Sequence, residues 1–180
     1  MKLEIIKQEM ENWIVNYLDK PNKHFNNIPV CPFAKKAWFD NKVKVLLGSE
    51  KEALHELEHW DDNYDLVVIV YSKWDNIREW EHKINAKVYE EDLYVMVFNL
   101  EDTTAEDPED QGDWGILTDD VYSWVFIQRL SEVEKYSNIL EKGGYYKKSS
   151  PEFMQYINKR RMYNVRKKQS NDETKDQEGN

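Results

Sequence analysis

The most apolar run in the chain, DLVVIVY at residues 65–71, sets the strongest limit on how the protein can fold. Its length suits a strand, and its apolar residues do not alternate with polar ones. Alternation is expected of a strand with one face in water, whereas a continuous apolar run is typical of a strand buried on both faces. The sequence therefore predicts a central strand that other elements cover on both sides.

Segments on both sides of this run alternate between strand and helix patterns. Residues 42–47 and Leu93–Phe98 have the composition of strands, whereas residues 50–60 and 73–85 carry apolar side chains at helical spacing. Ser49 is a suitable N-cap for the first of these helices. The order strand, helix, strand, helix, strand predicts an α/β fold, with a mixed sheet of roughly three or four strands and helices packed on it.

Helical patterns also occur near both ends of the chain. Residues 3–18 place apolar side chains on one face of a helix, and Ser150 and Pro151 open a helix that we expect to end near residue 163. Residues 121–127 fit either a fourth strand or the lead-in to a helix. We therefore expect an N-terminal and a C-terminal helix beside the sheet.

The chain is expected to form one domain. Its length suits a single core, which we assign to residues 1–163, with a disordered tail at residues 164–180 because no core-forming residue occurs there. Residues 101–120 are strongly acidic and predict a solvated loop within the domain. Loops of that length are often lids or binding segments.

Composition and charge limit the classes of partner. The formal net charge of −10 argues against a nucleic-acid partner, because phosphate binding depends on clustered lysine and arginine. No apolar run approaches the roughly 20 residues that span a bilayer, and the start of the chain lacks a signal-peptide pattern. We therefore expect a cytoplasmic protein that does not enter a membrane, with a small molecule or a protein as the open choices of partner.

A basic cluster near the end of the last predicted helix is the exception to the acidic composition. Its members are Lys159, Arg160, Arg161, Arg166, Lys167 and Lys168. Cations at this end of a helix offset the helix dipole. Given the net charge, we prefer that interpretation to a binding site for a nucleic-acid strand.

The only cysteine, Cys31, lies in the segment PVCPFAKK at residues 29–36 and cannot form an internal disulfide. Pro32 suits the first turn of a short helix. Backbone N–H groups of that turn, with the amines of Lys35 and Lys36, would lower the pKa of a thiol placed beside them. The sequence therefore predicts a catalytic site of Cys31, Lys35 and Lys36 for redox or nucleophilic thiol chemistry.

A second hypothesis for Cys31 remains open, so the sequence does not decide whether the protein is an enzyme. Cysteine is among the residue types most often buried, and Cys31 would then be structural in a non-catalytic module that binds a protein through its exposed aromatic residues. If the thiol reacts, His24 or His55 is the candidate to approach it, and Trp114 is the candidate to cover it. No cofactor is predicted.

The run HELEH matches the H-E-x-x-H pattern of zinc hydrolases. His55 and His59 are four residues apart and share a face of the predicted helix, with Glu56 as the general base. No third ligand is evident, and two histidines on a wet helix edge explain the run more simply. A zinc-dependent hydrolase is therefore a minor alternative, and no metal site is assigned.

The order of these features resembles a bacterial family of uncharacterised proteins, domain of unknown function 1415. The resemblance is carried by a first helix with Trp13, the CPFA segment at Cys31 and the run FIQRLSEVE at residues 126–134. It implies the same fold and singles out Cys31, but it implies no reaction. Asn99 and Leu100 stand where that family has a His-Pro pair. The CPFA segment also weakly resembles the CPxC segment of glutaredoxins, with Ala34 in place of the second cysteine.

Overall fold

A four-stranded mixed sheet with helices on both faces forms the centre of the protein. The protein is seen in a computed structural model that describes residues 2–98 and 122–178, with side chains described as far as residue 166. In chain order the elements are α1 (Leu3–Trp13), β1 (Pro21–Asn22), β2 (Ile28–Pro29), α2 (Ala34–Phe39), β3 (Val43–Leu47), α3 (Glu50–Glu58), β4 (Leu66–Tyr71), α4 (Ile77–Val88), β5 (Leu93–Phe98), β6 (Ser123–Arg129), α5 (Leu130–Lys142) and α6 (Pro151–Glu178).

The strand order of the large sheet is β3-β4-β6-β5. Strands β3 and β4 are parallel, and β6 runs antiparallel to both of its neighbours. The register places Val68 of β4 opposite Val45 on one side and opposite Phe126 on the other. The α/β class is therefore confirmed, and β4 is the buried inner strand that its apolar run predicted.

Alternating residues of β4 divide the core into two clusters. Val67 and Ile69 pack with residues of α3 and α4, whereas Val68 and Val70 pack with Ile6 and Met10 of α1 and other residues. Successive side chains of a strand point to opposite faces of the sheet. Helices α3 and α4 therefore cover one face, and α1 covers part of the other.

Side chains of α4 satisfy the outer edge of β5. The Asn85 side chain donates to the carbonyl of Val95 and accepts from its N–H, both at 2.8 Å. Glu81 accepts the N–H of Val97 at 3.1 Å, and Arg78 donates to the Val97 carbonyl at 2.8 Å. Because a free strand edge presents unpaired backbone groups, this contact gives β5 the hydrogen bonds that a further strand would supply.

The helix boundaries differ from the sequence predictions at several places, and helix α4, predicted at residues 73–85, spans Ile77–Val88. The first predicted helix, residues 3–18, is present as α1 followed by a wider π-helical turn at Ile14–Leu18. The last helix was expected to end near residue 163 with a disordered tail after it, but α6 continues to Glu178. Residues 164–178 contain many lysine, arginine, glutamine and glutamate residues, which extend an existing helix at little cost because nucleation has already occurred.

Residues 121–127 had two interpretations, and the structure supports the strand, because Ser123–Arg129 forms β6. The predicted acidic loop at residues 101–120 and its Trp114 lie outside the described residues. None of the helices in the described part of the chain is long and apolar enough to cross a membrane.

Candidate functional site

A cleft of about 850 Å³ lies on the α1 side of the sheet. Its floor is formed by residues of β5 and β6, and its walls include the end of α1, the Cys31 segment and α5. The floor residues are Met96, Phe98, Trp124, Phe126 and Gln128. Four of these five side chains are apolar, so the cleft offers an apolar surface to a ligand.

The floor follows directly from strand alternation. Trp124 and Phe126 alternate along β6 with Val125 and Ile127, which are buried against the opposite face of the sheet. The ring of Phe98 lies 4.9 Å from that of Phe126, and Phe98 is 36 % exposed. Large aromatic side chains therefore stand on a partly uncovered strip of the sheet, a common feature of binding surfaces.

The π-helical turn after α1 forms one wall of the cleft. The N–H of Asp19 donates to the Ile14 carbonyl at 3.0 Å, which is the longer-range bond that defines this geometry. The turn places Tyr17 and Leu18 at the cleft, and the Leu18 carbonyl accepts the N–H of Cys31 at 3.1 Å. Such turns occur often at functional sites. The apolar spacing of the sequence did not predict the π-helical turn. Such a turn differs from an α-helix only in that each N–H bonds to a carbonyl one residue further back along the chain.

The Cys31 segment is held from the side of α5 and the turn that follows it. The Tyr145 hydroxyl donates to the Val30 carbonyl at 2.6 Å, and the Phe33 ring lies 4.1 Å from that of Tyr136. The predicted helix start at Pro32 is wrong, because α2 begins at Ala34. The chain first closes a turn in which the Ala34 N–H donates to the Cys31 carbonyl at 3.2 Å.

Burial dominates the electrostatics of the Cys31 thiol. Cys31 is partly exposed as a residue, but the groups around its sulfur remove hydration from the thiolate. This desolvation raises the pKa of Cys31, and hydrogen bonds from the Phe33 and Ala34 backbone lower it by less. The thiol therefore has a raised pKa and not the lowered one that its sequence surroundings predicted.

Both predicted lysines have carboxylate partners. The Lys35 amine lies 2.8 Å from Asp19, and the Lys36 amine is bonded to Asp40 one helical turn later. Hydrogen bonding to Asp40 raises the pKa of Lys36. Cys31 and Lys36 both line the cleft, so the structure brings them to one site. The catalytic role assigned to Cys31, Lys35 and Lys36 stays a prediction.

The two histidines considered for Cys31 lie in different places. His24 lies between β1 and β2, with its ring 5.0 Å from that of Phe25. His55 is exposed on α3, which covers the face of the sheet opposite the cleft. His55 is therefore separated from Cys31 by the sheet itself.

The H-E-x-x-H run folds as part of α3 and its C-terminal end. The rings of His55 and His59 are 4.5 Å apart, and the His59 ring nitrogen Nδ1 lies 3.0 Å from the His55 carbonyl. Glu56 is buried and forms an ion pair with Lys44 of β3, with oxygen–nitrogen distances of 2.7 and 2.8 Å. Within residues 2–98 and 122–166, no group of three or more His, Cys, Asp or Glu side chains is placed to hold a metal ion.

The cleft lining also contains polar groups that the sequence did not assign to a site. Arg160 of α6 and Ser137 of α5 line the cleft, together with Tyr146. The hydroxyls of Ser137 and Tyr146 are 2.9 Å apart, and Arg160 Nε donates to Glu134 Oε1 at 2.5 Å. In the sequence, Arg160 could be recognised only as a member of the basic cluster. Its burial depends on how α6 packs against α5, which the sequence does not predict.

Comparisons of the chain with family models, with curated proteins and with solved structures find no match. The fold and the site therefore define the protein as an α/β protein with a mixed four-stranded sheet and an apolar cleft beside its only cysteine. The resemblance to domain of unknown function 1415 and to glutaredoxins stays a prediction.

Proposed function

We propose that this protein is a non-catalytic binding protein that holds an apolar small molecule in the cleft. The cleft itself carries the proposal, because its volume of about 850 Å³ falls within the range of small-molecule sites, about 300–1,000 Å³. Its floor is mainly aromatic and aliphatic, and the rest of its lining includes polar and charged side chains. This distribution is typical of sites that bind by burying apolar surface and orient the ligand with a few polar groups.

The state of Cys31 supports binding more than catalysis. A nucleophilic cysteine reacts as the thiolate, and burial of Cys31 raises its pKa and so favours the thiol. The amines of Lys35 and Lys36, which would stabilise a thiolate, are paired with Asp19 and Asp40. Cys31 then acts as a small apolar part of the cleft wall.

A small molecule suits the described surface better than a protein partner. The large apolar residues that are most exposed are distributed over several helices and strands: Ile5, Tyr17, Phe39, Leu47, Phe98, Ile139, Met162 and Val165. A protein interface normally gathers such residues into one patch with a buried centre. The apolar surface of the cleft is concave instead, which matches a ligand that it can surround.

Filling the cleft with a large side chain tests the proposal. Val133 of α5 is half-buried and lines the cleft, so Val133→Trp places an indole in the space of the ligand. We expect titration of the full chain with Nile red, an uncharged apolar dye, to show saturable binding. We expect Val133→Trp to weaken that binding by about tenfold or more, because the dye loses an apolar contact area of the size of a large side chain.

Ile139→Trp provides the matched control on the same helix. Ile139 is 54 % exposed and lies outside the cleft lining, so an indole there adds the same apolar area without entering the cleft. Dye binding that is unsaturable, or that Val133→Trp and Ile139→Trp change equally, would contradict the proposal. Circular dichroism of both variants shows that they are folded at the temperature of the titration.

A second candidate function, thiol-dependent chemistry at Cys31, has two observations in its favour. Cys31 lines the cleft, and the Phe33 and Ala34 backbone groups bond to its sulfur in the sense that lowers its pKa. Either function would operate in the cytoplasm, where a lone cysteine stays reduced. The formal net charge of −10 continues to argue against a nucleic-acid ligand.

A further inference from the structure

We propose that the ligand of the cleft is an uncharged apolar compound with an amide-type group, a hydrogen-bond donor beside an acceptor, that pairs with the side chain of Gln128. This inference rests on the function proposed above and specifies the chemical class of the ligand. It is carried by a polar side chain on the apolar floor of the cleft, whose donors and acceptor have no partner within the described part of the chain.

Strand β6 places Gln128 on the floor of the cleft. Trp124, Phe126 and Gln128 are alternate residues of this strand and all three line the cleft, whereas Val125 and Ile127 are buried in the core on the opposite face. Strand β6 lies between β4 and β5, so neighbouring strands hold its backbone on both sides. Gln128 is therefore a polar group at a fixed position among the apolar side chains of the floor.

The side-chain amide of Gln128 is available to a ligand. Within residues 2–98 and 122–166 it forms no hydrogen bond, and neither its oxygen nor its nitrogen is fully buried. The amide offers two N–H donors and one carbonyl acceptor. A ligand that covers the floor displaces the water from this amide, and a polar group enclosed without a partner costs free energy. A ligand with a matching donor and acceptor avoids that cost.

The charged side chains of the lining favour an uncharged ligand. Arg129, the residue after Gln128, donates to Asp62 at 2.6 and 3.0 Å, and the cations Lys36 and Arg160 also have carboxylate partners. Charged residues of the lining outside these pairs are exposed to solvent: Lys20, Asp65 and Glu132. A charged ligand on the apolar floor would lose its hydration without gaining a buried counter-ion, which is more costly than burying an amide.

Three probes that share a naphthalene body test the inference. An aromatic body suits the rings of the lining, such as those of Phe98 and Phe126, which are 4.9 Å apart. The probe 2-naphthamide has a donor and an acceptor, 2-acetylnaphthalene has the same shape without the donor, and 2-naphthoate is an anion. Each can be titrated against Nile red bound to the full chain at pH 7.

We expect 2-naphthamide to displace the dye with about fivefold higher affinity than 2-acetylnaphthalene, because it forms one more hydrogen bond with Gln128. We expect 2-naphthoate to bind more weakly than 2-naphthamide, because its charge is buried without a counter-ion.

Two substitutions assign the preference to Gln128. Gln128→Met has a similar size without hydrogen-bonding groups, so we expect it to bind 2-naphthamide and 2-acetylnaphthalene equally. Gln128→Glu keeps an acceptor and loses the donors, so we expect it to retain the preference for 2-naphthamide. A purely structural role of Gln128 would change the affinities of both probes in parallel. Gln155→Met, at an exposed position of α6 outside the cleft lining, is the matched control and should keep the wild-type preference.

The outcomes separate this inference from the proposed function. If Nile red binds but 2-naphthamide and 2-acetylnaphthalene displace it equally, or if Gln128→Met keeps the preference, the inference is wrong and the apolar binding function stands. Tighter binding of 2-naphthoate than of 2-naphthamide would also overturn the inference, because the cleft would then select an anion. If neither the dye nor any probe binds, the proposed function itself fails.

Discussion

Two opposing effects act on the pKa of the Cys31 thiol. The backbone of Phe33 and Ala34 provides hydrogen bonds that favour the thiolate, whereas desolvation favours the neutral thiol and is the larger effect. Folding therefore favours the neutral form of Cys31 over the thiolate. Because the folded pKa is raised above the unfolded value, this contribution to stability is present below the unfolded pKa and is lost as the pH rises through the folded one.

Alkylation of the only cysteine measures this balance directly. We expect the rate of reaction with iodoacetamide to reach its midpoint above the ordinary thiol pKa of about 8.5, because burial raises the pKa of Cys31. The same chain unfolded in urea provides the control, and its midpoint should return to the ordinary value. A midpoint below that of the unfolded chain would favour thiol-dependent chemistry instead.

The lysine partners of this segment show which residue contacts can be foreseen. Lys36 and Asp40 are four residues apart on one helix, so their pairing was accessible from sequence. Asp19 and Lys35 are separated by the two short strands and meet only because the chain folds back on the end of α1. The prediction that both lysines lower the pKa of the thiol did not take these two carboxylates into account.

At the scale of elements, the contact between α4 and β5 replaces a missing strand. Asn85 is 4 % exposed and both of its polar atoms bond to the backbone of Val95. Strand β5 therefore depends on the Asn85 side chain for two of its backbone hydrogen bonds.

Removal of the Asn85 amide should therefore destabilise the fold. We expect Asn85→Ala to lower the free energy of unfolding by about 2–4 kcal/mol, because the N–H and carbonyl of Val95 are left buried without partners. Urea denaturation with linear extrapolation measures the change. Asn138→Ala, at an exposed position of α5, is the matched control and should stay within about 0.5 kcal/mol of the wild type. Equal losses in the two variants would show that the α4 contact does not support β5.

The elements themselves were largely predictable because their signals are local. Ser49 and Glu52 form the capping box at the start of α3, and Leu93–Phe98 is a strand with the predicted limits. The order of the strands was not predictable, because β6 pairs between β4 and β5 although it follows both in the chain. That arrangement depends on packing between distant segments, and local periodicity contains no information about it.

At the scale of the whole molecule, the cleft results from incomplete coverage of one sheet face. Helix α1 packs over Val68 and Val70, whereas Phe126 and its neighbours toward β5 form the cleft floor. The sequence contains the apolar residues of this floor but not the position of α1 over the sheet. The candidate cysteine could therefore be found from sequence, whereas the cleft and the position of Gln128 on its floor required the structure.

Methionine methyl groups give the most direct test that a ligand enters this cleft. Met10 and Met96 line it, whereas Met154 and Met162 of α6 lie outside its lining and serve as internal controls. The protein can be labelled with ¹³C at the methionine methyl groups, assigned with Met→Leu variants and titrated with decanol. We predict saturable shifts of the Met10 and Met96 signals with little change at Met154 and Met162. Unchanged Met10 and Met96 signals, or shifts confined to α6, would contradict the assignment of this cleft as the binding site.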